Sequence, residues 1–374
     1  MPQRENCDIL GRKFNEEMGW AGVTKKIAVA MSGGVDSSVA AFLLQEQGHD
    51  LAGVTLRLHP QGGEKDVEDA RQVAQKLGFE HHVLDMTDRF RRCVMDTFAA
   101  QYEQGRTPNP CVECNRHIKF GALLDEVRAM GREAVATGHY ARIEYDAGSG
   151  RYLLKTAVHP EKDQSYVLYH LTQEQLSRSL LPLGGLSKEE IRAIALEQEL
   201  VNARKGDSQD ICFIPDGDHA GFIRRHTGRD YPAGDFVDAS GAVLGRHEGI
   251  IAYTIGQRRG LGVSSSNGRL YVTGIDTRTN RVTLSGNEDL FARTLEAQSI
   301  NFVPFARLDR PVRLQAKTRY RQPAQDAVVE QIAPDRIRVT FDRPQRAITP
   351  GQAVVLYDGD VVVGGGSIDR VVEE

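Results

Sequence analysis

The sequence predicts an α/β N-terminal domain, a small central β-containing module and a C-terminal β-barrel. Apolar strand-like runs alternate with helical segments through the first half of the chain, which is typical of a mostly parallel sheet with helices on both faces. After about residue 215, short strand-like runs follow one another between Gly, Asn and Asp turns. The length of 374 residues allows two or three domains. We place them at 23–215, 216–285 and 286–374, after an N-terminal tail at 1–22.

Strand–helix repeats account for the first half of the chain. Strands are expected at residues 27–31, 51–58, 81–84 and 134–137. Helices are expected at residues 37–44, 65–77, 88–104 and 118–130. One apolar stripe runs along the second helix and consists of Val67, Ala70, Val73, Ala74 and Leu77. Ligands of such sheets bind beyond the carboxyl ends of the strands, so functional residues are expected in the loops there.

The second half reads as all-β. Strands are expected at residues 269–275, 281–284, 312–317, 327–332 and 336–341. Ten Lys or Arg residues stand against five Asp or Glu between residues 302 and 346, a local excess of five positive charges. A solvated strand face is the simpler interpretation of this run, and contact with RNA is the alternative.

The composition is that of an ordinary soluble protein, with 40% hydrophobic and 26% charged residues. A net charge of −4 means that any RNA contact must come from a local patch. We expect no membrane span, because no apolar run reaches about 18 residues, and no secretory signal in the first 22 residues. Five cysteines, an odd number, indicate a reducing compartment and therefore the cytoplasm.

The segment from Ser32 to Ser38, Ser-Gly-Gly-Val-Asp-Ser-Ser, is expected to bind phosphate. It joins the first strand to the first helix, where glycines and helix N–H groups favour anions. It is neither a Walker A loop nor a G-x-G-x-x-G turn. Asp36 among phosphate oxygens indicates a shared Mg²⁺. A capped structural turn is the simpler alternative, but the string resembles the PP-loop of ATP pyrophosphatases, which cleave ATP to AMP and pyrophosphate and adenylate a carbonyl oxygen.

The cysteines suggest sulfur, redox or metal chemistry. Cys111 and Cys114 form a C-x-x-C at the end of a Pro-rich loop, and Cys114 is expected just before the fourth helix begins. The helix dipole and the nearby Arg116 and Lys119 are expected to favour its thiolate. Cys212 lies far along the chain and, taken alone, is better explained as an inert cysteine in an apolar pocket.

Several ordered motifs resemble the tRNA-specific 2-thiouridylases of the MnmA type, and they cover nearly the whole chain. The matching segments are residues 32–38, 107–110 with Cys114 and Asn115, 136–140, 162–166, 211–214, 253–262, 317–321, 349–352 and 364–366. The resemblance implies an adenine nucleotide α-hydrolase-like N-terminal domain and a C-terminal barrel that contacts tRNA. It also implies ATP-dependent 2-thiolation of the wobble uridine in tRNAs for glutamate, glutamine and lysine, with sulfur from a persulfide donor protein.

The resemblance also assigns residues to roles. Cys212 would carry the sulfur as a persulfide, and Cys114 would be the nucleophile that frees it, with a possible Cys114–Cys212 disulfide. The residues implied to bind ATP are Ala30, Met31, Ser32, Gly33, Gly34, Val35, Asp36, Ser37, Ser38, Leu56 and Gly138. Those implied to contact tRNA are Asn109, Pro110, Cys111, His139, Lys162, Asp163, Gln164, Arg319, Tyr320 and Gln352.

One departure from the family pattern opens an alternative mechanism. Many relatives carry Asp where this chain has Cys111, so three thiols (Cys111, Cys114 and Cys212) are expected around one pocket. Three thiolates with an open fourth position are suited to a [4Fe–4S] cluster. The acidic run that many relatives carry after the second strand is also absent, since residues 58–63 read Leu-His-Pro-Gln-Gly-Gly.

Two functions of other classes stay open. The first is a different AMP-forming ligase with an amide-forming acceptor, which the placed cysteines disfavour. The second is a non-catalytic RNA-binding protein with a degenerate nucleotide fold, which the intact glycine turn disfavours. ATP consumption that depends on tRNA would discriminate between them and the thiolation reaction.

Overall fold

The computed structural model describes residues 23–60, 63–206, 211–264 and 268–372. The expected N-terminal tail at 1–22 lies outside this part of the chain. Within the described ranges, no helix combines the length and the apolar character needed to cross a membrane.

Strands and helices alternate in the first half and strands dominate the second. The strands are β1 Lys26–Ala30, β2 Asp50–Arg57, β3 Glu80–Asp85, β4 Ala134–Ala136, β5 Ala141–Asp146, β6 Arg151–Thr156, β7 Ser179–Leu180, β8 Gly234–Val237, β9 Val243–His247, β10 Tyr271–Asp276, β11 Arg281–Ser285, β12 Phe291–Phe302, β13 Val312–Lys317, β14 Gln325–Ala333, β15 Arg336–Arg346, β16 Ala353–Asp358 and β17 Val361–Val372.

Two of the helices are composite, because π-type turns interrupt them without ending them. The helices are α1 Val35–Glu46, α2 Glu64–Leu77, α3 through Thr87–Phe90, Arg91–Met95 and Asp96–Glu103, α4 through Pro110–Cys114, Asn115–Ala122 and Leu123–Ala129, α5 Gln173–Ser177, α6 Lys188–Glu197 and α7 His219–Thr227. Such wide turns are frequent at functional sites.

The N-terminal sheet is parallel throughout and has the strand order β3-β2-β1-β4-β7. Alternate residues of β1 point to opposite faces: Ile27 and Val29 pack with α1, α2 and α6, and Ala28 packs with Leu123 and Val127 of α4. Helices therefore cover both faces, which confirms the predicted α/β architecture.

The fourth helix begins earlier than the sequence analysis predicts. The prediction of 118–130 is wrong at its start, because α4 already begins at Pro110 with Asn109 as its N-cap. The Asn109 side chain accepts a hydrogen bond from the Cys111 amide, and proline is well tolerated at the first helical position. Cys114 therefore lies inside the helix rather than in front of it.

The second half forms two β structures. The central sheet has the order β10-β11-β8-β9, and α7 precedes it in the chain. In the C-terminal part, β12, β15, β14, β13, β16 and β17 pair in that order, and a β12–β17 pairing closes the ring. Its interior is filled by apolar side chains such as Leu295, Val339 and Phe341. The expected barrel is confirmed.

A hairpin from the N-terminal half extends the barrel sheet. Strands β5 and β6 pair with each other, and β6 meets β17 where Val361 lies opposite Lys155. The Arg142 guanidinium reinforces this junction with a hydrogen bond of 2.7 Å to a carboxylate oxygen of Asp360. The sequence analysis did not predict this hairpin, which joins the α/β domain to the barrel.

Candidate active site

The glycine turn from Ser32 to Ser38 lies at the carboxyl edge of the parallel sheet. Gly33 has a φ of +69°, and a Cβ there would overlap the backbone carbonyl group of Asp66. The Ser37 hydroxyl oxygen accepts a hydrogen bond from the Ser32 amide at 3.1 Å. The Ser38 hydroxyl donates to the Gly34 carbonyl oxygen at 3.0 Å. Glycine is therefore required at Gly33, and the serines fix the turn from inside.

The turn leads into a helix start suited to an anion. Helix α1 begins at Val35, and within the described part of the chain no side chain caps its first amides. Gly138, which follows β4, packs so closely that a Cβ would lie 2.9 Å from the Ser37 backbone nitrogen. Unsatisfied amides at a helix N-terminus, with glycines on either side, provide room and partial positive charge for phosphate groups.

The remaining residues expected to bind ATP lie around this turn. Ala30 ends β1, Met31 is buried and Leu56 is half-buried near the end of the adjacent β2. The Met31 amide donates to the Val54 carbonyl oxygen at 2.8 Å, which continues the sheet to the edge of the loop. The structure thus brings the whole expected set to one edge of the sheet.

Two lysines that the sequence analysis missed flank the turn. Lys188 Nζ lies 2.6 Å from Oδ1 of Asp36, and the Tyr140 hydroxyl donates to the same oxygen at 2.8 Å. Lys205 Nζ donates to the Gly33 carbonyl oxygen at 3.0 Å. Both residues lie more than 150 positions along the chain from the turn. Only the fold brings these lysines to the turn, because no local motif marks them.

The described cysteines include the three thiols expected at one pocket, all of them free. Cys111 and Cys212 are exposed and Cys114 is buried. Burial raises the pKa of Cys114, which Lys119 only partly offsets, so the expected stabilisation of its thiolate is wrong. Although the Cys212 residue as a whole is exposed, the surrounding protein desolvates its thiol. This desolvation, together with the charges of Cys114 and Cys111, raises the pKa of Cys212 to about 12. The three sulfur atoms are thus close enough for their charges to interact.

Aromatic packing fixes the position of Cys212. The ring of the next residue, Phe213, lies 5.8 Å from Phe90 and 5.4 Å from Phe98 of α3, and 4.9 Å from Phe222 of α7. Cys114 packs in a cluster that contains Phe90 and, at its margin, Phe213 and Leu56. Cys114 therefore packs near the carboxyl ends of β2 and β3, and the nucleotide turn follows the carboxyl end of the adjacent β1.

The thiols as arranged do not form a metal site. Across the described ranges, which include Cys111, Cys114 and Cys212, no group of three or more His, Cys, Asp or Glu side chains is placed to hold a metal ion. A [4Fe–4S] cluster needs its cysteine ligands gathered around one centre. The residues present do not fit a cluster in this arrangement.

The barrel holds the Pro-rich loop that leads to the thiols. The side-chain amide of Gln352 donates to the backbone carbonyl oxygens of Thr107 at 2.8 Å and Pro108 at 3.3 Å. The Thr107 amide donates to the Pro350 carbonyl oxygen at 2.9 Å. Asn109, which the resemblance assigns to tRNA contact, also caps the N-terminus of α4 with its side chain. Gln352 thus holds the loop that leads into Asn109 and Pro110.

A second group of expected tRNA residues surrounds the segment 162–166. Asp163 accepts hydrogen bonds from the Ala157 amide at 3.0 Å and the Ser165 hydroxyl at 2.8 Å. Gln164 exchanges two hydrogen bonds with the backbone of Tyr140, at 3.0 and 2.8 Å. Lys162 is half-buried in the same segment. The segment is thereby linked to Tyr140, which contacts Asp36 in the nucleotide turn.

Tyr320 is the most exposed of the expected tRNA residues on the barrel, with 39% of its surface accessible. Its ring lies 5.9 Å from Tyr166 in an edge-on contact. Burial raises the pKa of Tyr320, and the charges of Asp163 and Cys111 raise it further, so Cys111 lies near it. Arg319 is turned towards the barrel and donates to the Ala347 carbonyl oxygen at 2.8 Å.

His139 is one of the buried members of the expected set. Its Nδ1 atom lies 2.7 Å from the Thr137 hydroxyl oxygen, and its ring lies 5.7 Å from Phe120. Burial holds its pKa well below the usual range, and the charge of Lys119 lowers it further. His139 is therefore neutral and packed beneath the site rather than displayed on its surface.

Part of the basic run at 302–346 is neutralised within the barrel. Arg338 pairs with the buried Glu296 at 3.0 Å, and Arg313 pairs with Asp342 at 2.6 Å. For these residues the simpler interpretation, a solvated strand face, is sufficient.

The fold and site define an α/β nucleotide-binding protein with a thiol site, extended by two β modules. Three family models match consecutive parts of the chain: a tRNA methyl transferase HUP domain at residues 25–216, a tRNA methyl transferase PRC-barrel domain at 220–286 and an aminomethyltransferase β-barrel domain at 292–368.

Curated relatives identify the family more closely. The tRNA-specific 2-thiouridylase MnmA of Clostridioides difficile is 47% identical over 358 residues, covering 93% of this chain and 99% of that protein. The enzymes of the same name from Acetivibrio thermocellus and Clostridium acetobutylicum are 47% and 46% identical, each over 92% of this chain and over 99% and 100% of their own lengths. The chain belongs to the MnmA family of tRNA-specific 2-thiouridylases.

Proposed function

We propose that the protein catalyses ATP-dependent 2-thiolation of the wobble uridine in tRNA. The observation that supports this proposal is that the glycine turn follows β1, while Cys114 packs with Leu56 near the end of the adjacent β2 and with Phe213, the neighbour of Cys212. A reaction that activates an oxygen with ATP and then replaces it with sulfur needs both groups within reach of one base. Family membership supports tRNA as the acceptor.

The first half-reaction is adenylation of the uracil C2 oxygen. That oxygen attacks the α-phosphorus of ATP, the bond to the bridging oxygen breaks, and pyrophosphate departs with the bonding electron pair. The amides at the start of α1 would bind the phosphates, and Asp36 would hold the accompanying Mg²⁺. Bound Mg²⁺ supplies charge neutralisation for the phosphate oxygens. The oxygen, otherwise a poor leaving group, is thereby converted into the oxygen of AMP.

The second half-reaction transfers sulfur. A donor protein leaves a persulfide on Cys212, and its terminal sulfur adds to C2 and expels AMP. The Cys114 thiolate then attacks the Cys212 sulfur, so that the carbon–sulfur bond is retained, the sulfur–sulfur bond breaks and a Cys114–Cys212 disulfide forms. An external dithiol reductant must supply two electrons to restore the thiols. A persulfide is more acidic than its parent thiol, which offsets the high pKa of Cys212.

The wobble base must leave the anticodon stack to reach these groups. We assign the Pro-rich loop with Asn109, Pro110 and Cys111 to the target base, because Gln352 holds this loop beside the thiols. The further contacts proposed for tRNA are those of His139, Lys162, Asp163, Gln164, Arg319, Tyr320 and Gln352. Since His139 is buried and neutral, its contribution would be to support the loop from below.

The finer assignments belong to the same proposal. The acceptors would be tRNAs for glutamate, glutamine and lysine, the sulfur donor a persulfide-carrying protein, and the compartment the cytoplasm. The functional units would be the catalytic domain at 23–215, the central module at 216–285 and the tRNA-contacting barrel at 286–374.

RNA-dependent AMP formation tests the proposal. Protein, Mg²⁺-ATP and a persulfide donor are incubated with and without a tRNA transcript, and AMP, ADP and pyrophosphate are quantified. We expect AMP and pyrophosphate only when RNA with an unmodified wobble uridine is present. AMP formation driven by an amine acceptor without RNA would identify an amide-forming ligase. RNA binding without any ATP turnover would identify a non-catalytic binding protein.

A further inference from the structure

Cys111 and Cys114 lie on one turn of α4. Their separation of three positions makes them neighbours on the surface of the helix. Regular helix geometry places two α-carbons three residues apart at about 5 Å, within the range that a disulfide spans. The Asn115 amide donates to the Cys111 carbonyl oxygen, so this turn is closed. A bond between the two sulfur atoms therefore needs no movement of one chain segment relative to another.

The thiols differ in how open they are to a reagent from solution. Cys114 is only 8% exposed and packs in the cluster of Phe90 and Phe213. Cys111 is exposed in the first turn of α4. A reductant from solution therefore has poor access to the Cys114 sulfur in a Cys114–Cys212 disulfide. Cys111, in contrast, is the neighbour of that sulfur on the same helix.

The three thiols also influence one another through their charges. Desolvation raises the pKa of each, even though Cys111 and Cys212 are exposed as residues. The charge of Cys111 raises the pKa of Cys114 further, and the charges of both raise that of Cys212 further. A disulfide between Cys111 and Cys114 removes both of these charges. The release of Cys212 as a thiolate therefore becomes easier as that disulfide forms.

We propose that Cys111 is a catalytic residue that regenerates Cys212 after each sulfur transfer. This inference rests on the proposed function, in which a turnover ends with a Cys114–Cys212 disulfide. The Cys111 thiolate attacks the Cys114 sulfur, so that a Cys111–Cys114 bond forms and the Cys114–Cys212 bond breaks. The electron pair of the broken bond stays on Cys212. Cys111 gives its proton to water and Cys212 takes one from water, so the exchange involves no net oxidation.

The exchange moves the disulfide to a residue that a reductant can reach. An external dithiol, which the proposed function already requires, attacks the sulfur of the exposed Cys111 and releases Cys114 as a thiol. The second thiol of the reductant then displaces Cys111, and the reductant departs as its own disulfide after giving up two electrons. Cys212 is free to accept the next persulfide before this reduction takes place.

The position of the disulfide after one turnover tests the proposal in the wild-type protein. Persulfide-loaded protein is mixed with Mg²⁺-ATP and a tRNA transcript without external thiols, quenched in acid and alkylated with N-ethylmaleimide. Trypsin places Cys111 and Cys114 on the peptide 107–116 and Cys212 on the peptide 206–224. We expect an internal disulfide in the first peptide and an alkylated Cys212 in the second. A link between the two peptides as the main product, or no disulfide at all, would overturn the proposal.

The kinetics of Cys111→Ser give a second measure, at dithiol concentrations where reduction limits the steady-state rate. Each variant's steady-state rate is divided by its own single-turnover rate, so that any change in contact with the base cancels. We expect this ratio to fall about tenfold in Cys111→Ser, because the dithiol then meets only the Cys114–Cys212 disulfide, one sulfur of which is buried. Cys93→Ser, which removes a thiol outside the C-x-x-C, should keep the wild-type ratio. Equal ratios in Cys111→Ser and the wild-type protein would overturn the proposal.

A redox titration distinguishes failure of this inference from failure of the proposed function. Protein without ATP or tRNA is equilibrated in mixtures of reduced and oxidised dithiothreitol, and the same two peptides are analysed. We expect Cys111–Cys114 to be the first disulfide that forms. If this pair oxidises but no thiolated tRNA is ever made, the proposed function fails and the regenerating role fails with it. If thiolated tRNA forms while the disulfide stays on Cys212, only the present inference fails.

Discussion

The side-chain amide of Gln352, in a turn of the C-terminal barrel, lies 2.8 Å from the backbone carbonyl oxygen of Thr107, in the loop that leads to the thiol helix. The next carbonyl oxygen of that loop, on Pro108, accepts from the same amide at 3.3 Å. The barrel is thereby coupled to the loop that positions Cys111 and Cys114. A module distant in sequence thus contacts the loop that leads to the thiols.

Replacing Gln352 by Ala should slow thiolation without weakening ATP binding. The substitution removes two hydrogen bonds, each worth about 1 kcal/mol, from the end of the loop nearest α4. We expect about a tenfold lower single-turnover rate of thiolation and an unchanged affinity for Mg²⁺-ATP. Gln325→Ala, at a partly buried glutamine in the same barrel, is the matched control. An unchanged rate in Gln352→Ala would show that the loop keeps its place without the barrel contact.

Cys212→Ser should abolish thiolation while ATP and tRNA still bind. Serine keeps the size of the side chain but cannot carry a persulfide. Neighbouring contacts through Phe213 are untouched, so the fold should persist. Thiolated nucleosides are quantified after digestion of the tRNA, with Cys93→Ser as the matched control at a half-buried cysteine near Cys114. Thiolation by Cys212→Ser at the normal rate would remove Cys212 from the mechanism.

Cys111→Asp distinguishes the persulfide route from an iron–sulfur route. The described thiols form no metal-ligand group, so we expect this variant to retain thiolation when a persulfide donor is supplied. The measurement is iron and labile sulfide after anaerobic purification, with thiolation assayed on the same preparation. Near-stoichiometric iron in the wild-type protein, lost together with activity in Cys111→Asp, would contradict the persulfide account.

His170 should make the fold sensitive to acid. Burial lowers its pKa from 6.5 to about 3, so the unfolded chain binds a proton more readily than the folded protein below pH 6.5. Its contribution to stability is therefore complete above pH 6.5 and declines as the pH falls towards 3. By pH 5 the loss is about 2 kcal/mol.

The variant His170→Leu should remove that part of the pH dependence. Denaturant unfolding at pH 7.5 and pH 5 gives the two free energies, and their difference should shrink relative to the wild-type protein. His159→Leu, at a partly exposed histidine, serves as the matched control. An equal pH dependence in His170→Leu and the wild-type protein would show that His170 is accessible to protons in the folded state.

The parallel sheet and the nucleotide turn were predictable because their signals are local. Ile27 to Met31 is an apolar run long enough for a buried strand, and the glycines at 33 and 34 follow it after Ser32. Apolar strand-like runs alternate with helical segments along the chain, so the fold class follows from the order of the elements. The barrel was predictable for the same reason, from strand-like runs at regular spacing.

The features that were missed depend on contacts between distant residues. Lys188 meets Asp36 across 152 positions, and the hairpin of β5 and β6 reaches β17 only through the tertiary fold. The start of α4 was mistaken because two prolines suggest a loop, whereas Pro110 occupies the first helical position, where its missing N–H costs nothing. The pKa of Cys114 was misjudged because burial outweighs the charge of Lys119.

The most direct test of the account is the stoichiometry of a single turnover on tRNA. Iron-free protein carrying a persulfide is mixed with Mg²⁺-ATP and an unmodified tRNA transcript, and AMP and 2-thiouridine are quantified by mass spectrometry. The account predicts one AMP for each 2-thiouridine, with the sulfur at C2 of the wobble uridine. Formation of ADP instead of AMP, or AMP without sulfur in the RNA, would contradict it.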